Sequence, residues 1–394
     1  MSKIFGTHDE QTIQQLERCV AAEEGAIGVL CADGHLGYSM PIGGVVGYKK
    51  FISPSGVGYD IGCGNYAVQT DISISDLQTD LSSIADEIVR RVSFGIGRVN
   101  NEKVDHPVLE RIANSPVKQQ KALLQLAANQ LGTVGSGNHY VDVLFDGSGY
   151  LWVGVHFGSR GFGHKTASMF MNAAQGLKME DKVHDGEMNA PALLFHVDNP
   201  VGQDYIEAMQ IAGAYAAAGR EVVVGKVLEI LGAHATYGVH NHHNFAWHEQ
   251  HNGEWYWVVR KGATPARPGQ EGFVGGSMGD ISVILEGVES AESKAALYST
   301  VHGAGRLISR RKAAGKWKKG VQVQKGLVDF DTVKERIRAM GIQLRGAGPD
   351  EAPEVYRSLR DVLDAHKNTI LVKYWLSPAI VVMAGADVHD PFKD

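Results

Sequence analysis

A carboxylate and a thiol lie close together in a glycine-rich segment, residues 56–64 of the sequence. The two groups belong to Asp60 and Cys63, and at this spacing both side chains can face one metal ion. Glycine allows the backbone to approach such an ion closely. A single Asp-x-x-Cys pattern is weak, because free cysteine is among the residue types most often buried in a core. Taken alone, the segment favours a buried structural cysteine.

Histidines stand beside small or polar residues in further segments of the chain. These segments are residues 132–139, which end in His139, residues 156–164, which begin with His156, and residues 240–244, which contain His240, His242 and His243. Core or surface histidines would explain one such segment, but several of them together with a carboxylate and a thiol favour a metal centre. Nitrogen, carboxylate and thiolate ligands together suit Mn, Fe, Co or Zn better than Mg or Ca.

A fifth segment combines a histidine with positive charge. Residues 301–306 read Val-His-Gly-Ala-Gly-Arg and open a run without acidic residues, whose cations are Arg306, Arg310, Arg311, Lys312, Lys316, Lys318 and Lys319. The segment could present the His302 imidazole beside phosphate-binding arginines. Residues 260–264 and 275–279 add cations and a loop of backbone N–H groups, which a nucleotide site would use. A solvated surface would produce the same pattern, so both interpretations stay open.

Three motifs of nucleotide and metal enzymes are not matched. Residues 158–166 contain one residue too many for a Walker A loop. His248 and His251 have the wrong spacing for the His-Glu-x-x-His zinc helix. No Lys-x-Asp-Gly sequence occurs, so a covalent-lysine ligase mechanism has no candidate nucleophile. His302 is the comparably framed replacement.

The elements that must position these segments do not alternate regularly along the chain. Helical periodicity is expected in residues 9–22, 74–92, 107–131, 204–231 and 353–365. Short β-branched or aromatic runs predict strands at residues 45–48, 66–70, 140–145, 151–156, 255–260, 281–286 and 370–375. A doubly wound parallel sheet would need regular alternation, so the order favours a mixed α+β fold, with the chemical segments at strand ends and in loops.

Composition limits the class of protein. The chain has 394 residues, of which 44% are hydrophobic and 21% charged, which is enough for a large core and too ordinary for a disordered or fibrous protein. No linker divides it, so we predict one domain over residues 1–394. A net charge of −6 gives no overall footprint for nucleic acid, so phosphate-binding charge has to be local. Three scattered cysteines and the lack of an apolar leader or membrane-spanning run lead us to expect a cytoplasmic protein.

Taken together and in this order, the five segments resemble the RtcB family of RNA ligases. The resemblance covers roughly the whole chain, and residues 33–37 and 41–45 extend it towards the N-terminus. It implies a single large mixed α/β domain with a metal site in a central cleft. It also implies an enzyme that uses GTP and two manganese ions to join an RNA 3′-phosphate or 2′,3′-cyclic phosphate end to a 5′-hydroxyl end. The reaction would pass through a histidine–GMP intermediate.

The resemblance implies a role for individual residues. His302 becomes the nucleophile that takes GMP. The metal ligands, with the Cys63 thiolate bridging two ions, are Asp60, Cys63, His139, His156 and His243. The residues around the nucleotide are Asn138, Asp142, Ser277, His302, Gly303, Ala304, Gly305, Arg306 and Tyr356. The residues that bind phosphate or RNA are Arg160, Lys261, Arg306 and Arg310.

Two positions depart from the family pattern. Asp142 stands where the family commonly has glutamate. Chains of the family typically end in Lys-Gly, with that lysine touching the guanine, whereas here Ala384 and Gly385 are followed by a tail that ends at Asp394. The departures bear on the preference for guanine and leave the metal and nucleophile residues intact. Lys393, in the tail, could fold back to replace the missing lysine.

Two other functions stay open at this point. A metal-dependent phosphodiesterase acting on RNA ends would use the same ligands and an activated water, without a covalent nucleotide. A metal-binding or RNA-binding module without catalysis would leave the framing of His302 unexplained. An archease-like helper serves some relatives and could serve this chain. We further expect a monomer without membrane association.

Overall fold

The computed structural model of the protein describes residues 2–181, 188–318, 321–386 and 388. Within these ranges the helices are α1 (Glu10–Val20), α2 (Pro54–Val57), α3 (Leu81–Arg91), α4 (Pro107–Ala113), α5 (Lys118–Lys121), α6 (Leu124–Gln130), α7 (Arg160–Ala174), α8 (Pro200–Leu231), α9 (Ala291–Ala295), α10 (Arg310–Ala314), α11 (Phe330–Ala339) and α12 (Leu359–Asp364). The strands are β1 (Lys3–Ile4), β2 (Ile27–His35), β3 (Ile42–Tyr48), β4 (Phe51–Ile52), β5 (Gly64–Ser73), β6 (Tyr140–Phe145), β7 (Tyr150–Phe157), β8 (Phe195–His196), β9 (Ala235–His242), β10 (Asn244–His251), β11 (Glu254–Lys261), β12 (Ala263–Pro265), β13 (Glu271–Val274), β14 (Ser282–Gly287), β15 (Ser299–Val301), β16 (Gly315–Lys318), β17 (Val321–Lys325), β18 (Gln343–Ala347) and β19 (Ile370–Gly385).

A large sheet forms the centre of the fold. Its strand order among the described residues is β13-β14-β19-β6-β7-β5-β9, and neighbours in this order are antiparallel. Strand β18 lies parallel to the second half of β19. Helices and antiparallel strands are thus mixed without regular alternation, so the predicted α+β class is confirmed. The single domain over residues 1–394 stays a prediction.

Both faces of the large sheet are covered, which explains why β6 and β7 are apolar almost throughout. Val141 and Val153 pack with Val223 of α8 on one face. On the opposite face, Trp152 packs in a cluster with Ile337 of α11. Successive side chains of a strand point to opposite faces, so a sheet buried on both sides needs apolar residues at consecutive positions.

The antiparallel order brings four potential metal ligands to one edge of this sheet. Cys63 immediately precedes β5 and His139 immediately precedes β6. His156 is the second-last residue of β7, and His243 follows β9. Gly64, the first residue of β5, is paired with the ends of both β7 and β9. Because neighbouring antiparallel strands run in opposite directions, the starts of β5 and β6 and the ends of β7 and β9 share an edge.

A second sheet has the order β1-β2-β3-β11-β10 among the described residues. Asn252 and Gly253 join β10 to β11 and have φ angles of 51° and 84°. Asn-Gly with positive φ at both positions is the preferred two-residue connection between antiparallel strands. Strand β12 then pairs with β15, which leads directly into His302. This small separate sheet of β12 and β15 therefore presents the predicted nucleophile.

Helix α8 crosses the back of the large sheet. Asn199 caps its first turn by accepting a hydrogen bond from the Val201 N–H, and Gly232 ends it in the left-handed conformation. These are the residue types that begin and end helices most effectively.

Of the helices in the described part of the chain, α8 included, none is long and apolar enough to cross a membrane.

Several predicted elements need correction. The predicted helix at residues 107–131 is three short helices. Pro116 accounts for the break between the first two, because proline cannot continue a helix and restricts the residue before it. The helix predicted at residues 74–92 begins only at Leu81, capped by Asp80. The helix predicted at residues 353–365 is a short 3₁₀ turn followed by α12. The predicted helices at residues 9–22 and 204–231 and all seven predicted strands are confirmed, with most bounds shifted by a few residues.

A buried ion cluster joins the hairpin of the second sheet to the segment before His302. The Arg260 guanidinium is fully buried and donates to both carboxylate oxygens of Glu249, at 2.7 and 3.1 Å. It also donates to Ser299 Oγ at 2.8 Å and to the Leu297 carbonyl at 2.9 Å. Leu297 and Tyr298 have positive φ, a conformation that costs non-glycine residues free energy. The cluster thus stabilises a strained turn that leads towards the nucleophile.

Burial alone would raise the pKa of Glu249, but the Arg260 charge and hydrogen bonds from His251 and Arg260 lower it to about 2. Replacement by glutamine leaves Arg260 buried without an anion, and breaking such a pair typically costs about 3–5 kcal/mol. We expect Glu249→Gln to lower the free energy of unfolding by that amount at pH 7, as measured by urea denaturation.

The carboxylate is more acidic in the folded chain than in the unfolded one, so its contribution is full above the ordinary pKa of 4.5 and is lost as the pH falls towards about 2. The difference between wild type and Glu249→Gln should therefore shrink in that window. Glu254→Gln removes an exposed ion pair with Lys49 on the same hairpin and should change stability little. Equal losses in the two variants would contradict the prediction.

Candidate metal centre and nucleotide cavity

Two groups of potential metal ligands overlap at Cys63. One group is Cys63, His156 and His243, and the other is Asp60, Cys63 and His139, with the ligand atoms of each group within 4.8 Å of one another. The Cys63 sulfur lies 3.3 Å from His156 Nε2 and 3.6 Å from His139 Nε2. His139 Nε2 is 3.2 Å from an Asp60 carboxylate oxygen. The structure therefore brings all five predicted ligands together, with the thiol between two potential ion positions.

Backbone contacts hold these ligands in place. The His243 N–H donates to the Cys63 carbonyl at 2.8 Å, and the Ala263 N–H donates to the His243 carbonyl at 3.1 Å. The second contact joins the ligand edge to strand β12. A Cβ atom at Gly135 would collide with the His139 ring, and one at Gly158 would collide with the Asp60 carboxylate. The glycines of these segments thus make room for the ligands.

The electrostatics of the site favour cation binding. Burial and the neighbouring Asp60 carboxylate raise the pKa of the Cys63 thiol well above its usual value. Burial and nearby imidazoles lower the pKa values of His156 and His243 well below the usual value. Burial alone would raise the pKa of Asp60, but the hydrogen bond and charge of His139, a hydrogen bond from Cys63 and the Arg160 charge together lower it. Neutral imidazoles and a carboxylate are ready ligands, whereas the thiol needs a cation to release its proton.

The structure also leaves a ring nitrogen in the first ligand group that a metal could satisfy. His243 Nδ1 is buried and finds no hydrogen-bond partner among the described residues. A buried nitrogen without a partner is costly unless a ligand or water satisfies it. With nitrogen, carboxylate and thiol donors, the residues present fit a transition-metal pair.

A buried arginine from α8 supports the same edge from behind. Arg220 is fully buried and donates to the Gly62 carbonyl at 2.9 Å and to the Phe157 carbonyl at 2.5 Å. These carbonyls belong to the residues next to Cys63 and His156. Burial lowers the pKa of Arg220 only to about 10, so the guanidinium keeps its charge at neutral pH. Nothing in the sequence pattern around Arg220 signals this role, which depends on the packing of α8.

A cavity of about 710 Å³ opens onto the ligand groups. Besides the ligands, the predicted site residues that border it are Asn138, Asp142, Arg160, Ser277, His302, Gly303, Ala304, Gly305, Arg306, Arg310 and Tyr356. Lys261 is the predicted site residue, among those that the structure describes, that does not border the cavity. Its ammonium is buried and donates to the Tyr38 carbonyl at 2.6 Å, and burial lowers its pKa to about 8. Phosphate binding by Lys261 stays a prediction.

His302 is held by a residue to which the sequence assigned no role. Asp33 is fully buried at the end of β2, and one of its carboxylate oxygens lies 2.6 Å from His302 Nδ1 and 3.0 Å from the His302 N–H. Burial would raise the pKa of Asp33, but His302 outweighs it and the pKa is lowered. An ionised carboxylate only accepts, so Nδ1 carries the proton and Nε2 keeps its lone pair. The sequence feature that could indicate this role is the acidic Asp33 within a largely apolar strand.

The predicted phosphate-binding arginines are also anchored by acidic residues. Arg306 donates to both carboxylate oxygens of Glu351 at 3.0 Å, and Arg310 donates to Asp350 at 3.0 Å. Tyr356 donates its hydroxyl proton to Glu351. These contacts fix the two guanidinium groups at the cavity wall, and the acidic pair was not among the predicted site residues.

The two departures from the family pattern both lie near this cavity. Burial raises the pKa of Asp142 well above its usual value, which favours the protonated carboxyl group, a hydrogen-bond donor. On β19, Val381 and Met383 border the cavity, whereas Ala384 is buried nearby. Lys319 and Lys393 lie outside the described residues.

We expect Arg220→Met to weaken metal binding, because the carbonyls beside Cys63 and His156 lose their donor. Loss of such supporting contacts typically costs about 10- to 100-fold in affinity. The dissociation constant for Mn²⁺ can be measured by equilibrium dialysis of the folded variant. Lys226→Met is the matched control, because Lys226 is a buried cation of the same helix that bonds Asn100 instead. Unchanged affinity in Arg220→Met, or equal loss in both variants, would refute the assignment.

The family profile described as tRNA-splicing ligase RtcB matches residues 18–384. The chain is 31% identical over 378 residues to the RNA-splicing ligase RtcB of Escherichia coli (strain K12), which covers 89% of this chain and 88% of the relative. It is 30% identical to RNA-splicing ligase RtcB homolog 1 of Entamoeba histolytica, over 89% and 79% of the two chains. It is 29% identical to the tRNA-splicing ligase RtcB of Pyrobaculum aerophilum, over 86% and 83%. The family match and this coverage agree with the five segments and their common cavity, and the chain therefore belongs to the RtcB family of RNA-splicing ligases.

Proposed function

We propose that this chain joins an RNA 3′-phosphate or 2′,3′-cyclic phosphate end to a 5′-hydroxyl end, with GTP and two manganese ions. The observation that carries the proposal is the contact between Asp33 and His302 beside the overlapping ligand groups. The ring centroids of His302 and His243 are 4.8 Å apart. A histidine whose Nδ1–H donates to a buried carboxylate while its Nε2 stays free is arranged as a nucleophile.

His302 would attack the α-phosphorus of GTP through Nε2. The new N–P bond forms as the bond to pyrophosphate breaks, and GMP stays attached to the ring. Positive charge that develops on the imidazole is balanced by Asp33, whose carboxylate also fixes the tautomer. The Asp33 contact thus prepares His302 for the first step.

The GMP group would then pass from His302 to the RNA 3′-phosphate, which breaks the N–P bond and creates an activated diphosphate. The 5′-hydroxyl of the second strand attacks the RNA phosphorus and GMP leaves. Arg160, Arg306 and Arg310 border the cavity and would hold the phosphates through charge-assisted hydrogen bonds. A 2′,3′-cyclic phosphate would first be hydrolysed in the same cavity, where water adds to the phosphorus and the bond to O2′ breaks to give the 3′-phosphate.

We assign one manganese ion to Asp60, Cys63 and His139 and the second to Cys63, His156 and His243. Bound there, the ions would neutralise phosphate charge and help to deprotonate a hydroxyl nucleophile. The nucleotide would lie against Asn138, Asp142, Ser277, the backbone of residues 303–305, and Tyr356.

A metal-dependent phosphodiesterase acting on RNA ends is the second candidate, because the ligand groups alone could activate water. The phosphodiesterase mechanism has no role for the buried contact between Asp33 and His302. Incubation with GTP labelled at the α-phosphate, followed by denaturing electrophoresis, separates the two functions. The ligase carries the label on the protein, and the phosphodiesterase does not.

We expect His302→Ala to lose GMP attachment and ligation completely while keeping its metal, since the imidazole lies outside the ligand groups. Asp33→Asn should slow attachment by on the order of 10²- to 10⁴-fold, because the amide no longer fixes the tautomer as an anion. Label on the protein and metal content per chain are the two measurements. His248→Ala, an exposed histidine of β10, is the control and should behave as wild type. Ligation by His302→Ala would overturn the mechanism.

We also expect weaker selection of GTP over ATP than in relatives that carry the C-terminal lysine. A charged hydrogen bond typically contributes about 1.5–3 kcal/mol, so its loss corresponds to roughly a tenfold to hundredfold loss of discrimination. The measurement compares attachment of GMP and AMP by wild type, by Ala384→Lys and by a chain ending at Gly385.

Met383→Lys is the matched variant, because Met383 borders the cavity and successive strand residues point to opposite faces. Met383→Lys should raise the preference for GTP if a cation at this wall reads the base, and Ala384→Lys, on the opposite face of the strand, should raise it less. The same strong preference in wild type and every variant would show that another group does so.

A further inference from the structure

The cavity continues past the ligand groups on the side away from His302. Ring contacts place His302 next to His243, in the first ligand group, and Cys63 links that group to Asp60 and His139. Arg160 comes next, because a Cβ atom at Gly135 would meet both the His139 ring and the Arg160 guanidinium. The backbone of residues 303–305 and Tyr356, both assigned to the nucleotide, lie on the His302 side. Tyr59 and His164 have no nucleotide role and border the cavity elsewhere, so that part of the cavity is available to another portion of the substrate.

Two rings stack at this far side of the cavity. The Tyr59 and His164 rings have centroids 5.1 Å apart and planes inclined by 20°. Tyr59 directly precedes Asp60, and His164 lies one helical turn after Arg160 on α7, so both follow from the elements that build the metal site. Both rings border the cavity and are partly exposed.

Charged and apolar groups complete this region. Lys165 is exposed and borders the cavity beside His164. Arg160 is fixed by hydrogen bonds to Thr133 Oγ1 at 3.0 Å and to the Gly95 carbonyl at 2.7 Å. Ile96 and Leu126 provide apolar walls. Stacked rings, apolar walls and cations are the combination with which proteins bind single-stranded nucleic acid.

We propose that Tyr59, His164 and Lys165 form a subsite for the terminal nucleotide of an RNA strand, with the base stacked on the rings and the backbone phosphate near Lys165. This inference rests on the proposed function, which requires RNA ends to meet at the ligand groups. Stacking on a ring is tolerant of base identity, because every base has a π-face. The subsite would therefore accept RNA ends of different sequence.

The test measures binding of short single-stranded RNA by fluorescence anisotropy, with and without the base of the terminal nucleotide. Removing that base should weaken binding to wild type by roughly 5- to 150-fold, which corresponds to the about 1–3 kcal/mol typical of base stacking. With intact RNA, Tyr59→Leu and His164→Leu should each bind more weakly than wild type by most of that factor. Removing the terminal base should then weaken the binding of either variant only a little further. Tyr59→Phe keeps the ring and should bind as wild type.

Two RNA arms, one with a 5′-hydroxyl end and one with a 3′-phosphate end, show which strand uses the subsite. Trp255→Leu is the matched control, because Trp255 is an exposed ring on the distant end of β11 that stacks on His248. It should leave RNA affinity unchanged. If base removal costs the same in wild type, Tyr59→Leu and His164→Leu on both arms, the subsite is wrong.

Attachment of GMP needs no RNA, so it separates this inference from the proposed function. Tyr59→Leu and His164→Leu should attach GMP and bind metal as wild type does. Normal attachment without coupling between ring and base would overturn the subsite alone, whereas a wild type that attaches no GMP would overturn the proposed function. If Tyr59→Leu loses metal because Asp60 is its neighbour, His164→Leu decides the question.

Discussion

The buried thiol of Cys63 is the constraint on which the rest of the site depends. It belongs to both ligand groups, so five side chains from four strand ends have to converge on one sulfur atom. The antiparallel order of the large sheet brings those ends together, and Gly135 and Gly158 leave room for the ligands. Without a cation the thiol is costly to ionise, because burial and Asp60 raise its pKa. A cation bound beside Cys63 would therefore favour the thiolate at the centre of the fold.

Strands outside the large sheet supply what the ligand edge lacks. Backbone hydrogen bonds link Cys63 to His243 and His243 to Ala263, whose strand β12 pairs with the strand that ends before His302. Asp33, from β2 of the second sheet, then fixes the imidazole. The candidate nucleophile and the candidate ligands are consequently positioned by strands, and the distance between them does not depend on loops alone.

Residue types and local spacing predict the mixed α+β class and the segments that meet at the cavity, whereas the resemblance to the RtcB family singles out the five candidate ligands and His302 within those segments. The supporting residues Asp33, Arg220 and Glu351 were missed, because their roles arise from contacts between distant parts of the chain, as in the pairing of Asp33 with His302. Local patterns do not predict helix α7, because its glycines lower helix propensity, and they overextend the helix at residues 107–131, because its apolar period continues past Pro116. Packing, which no local pattern contains, decides these features.

The sharing of one thiolate by two ions is tested most directly by the metal content of Cys63→Ala. We expect wild type to bind two Mn²⁺ per chain and the variant to lose both, since the sulfur serves both positions. Cys19→Ala, which removes a buried thiol that contacts the Ser39 carbonyl away from the ligand groups, should keep both ions. Two ions retained by folded Cys63→Ala, or the loss of only one, would contradict a bridging thiolate.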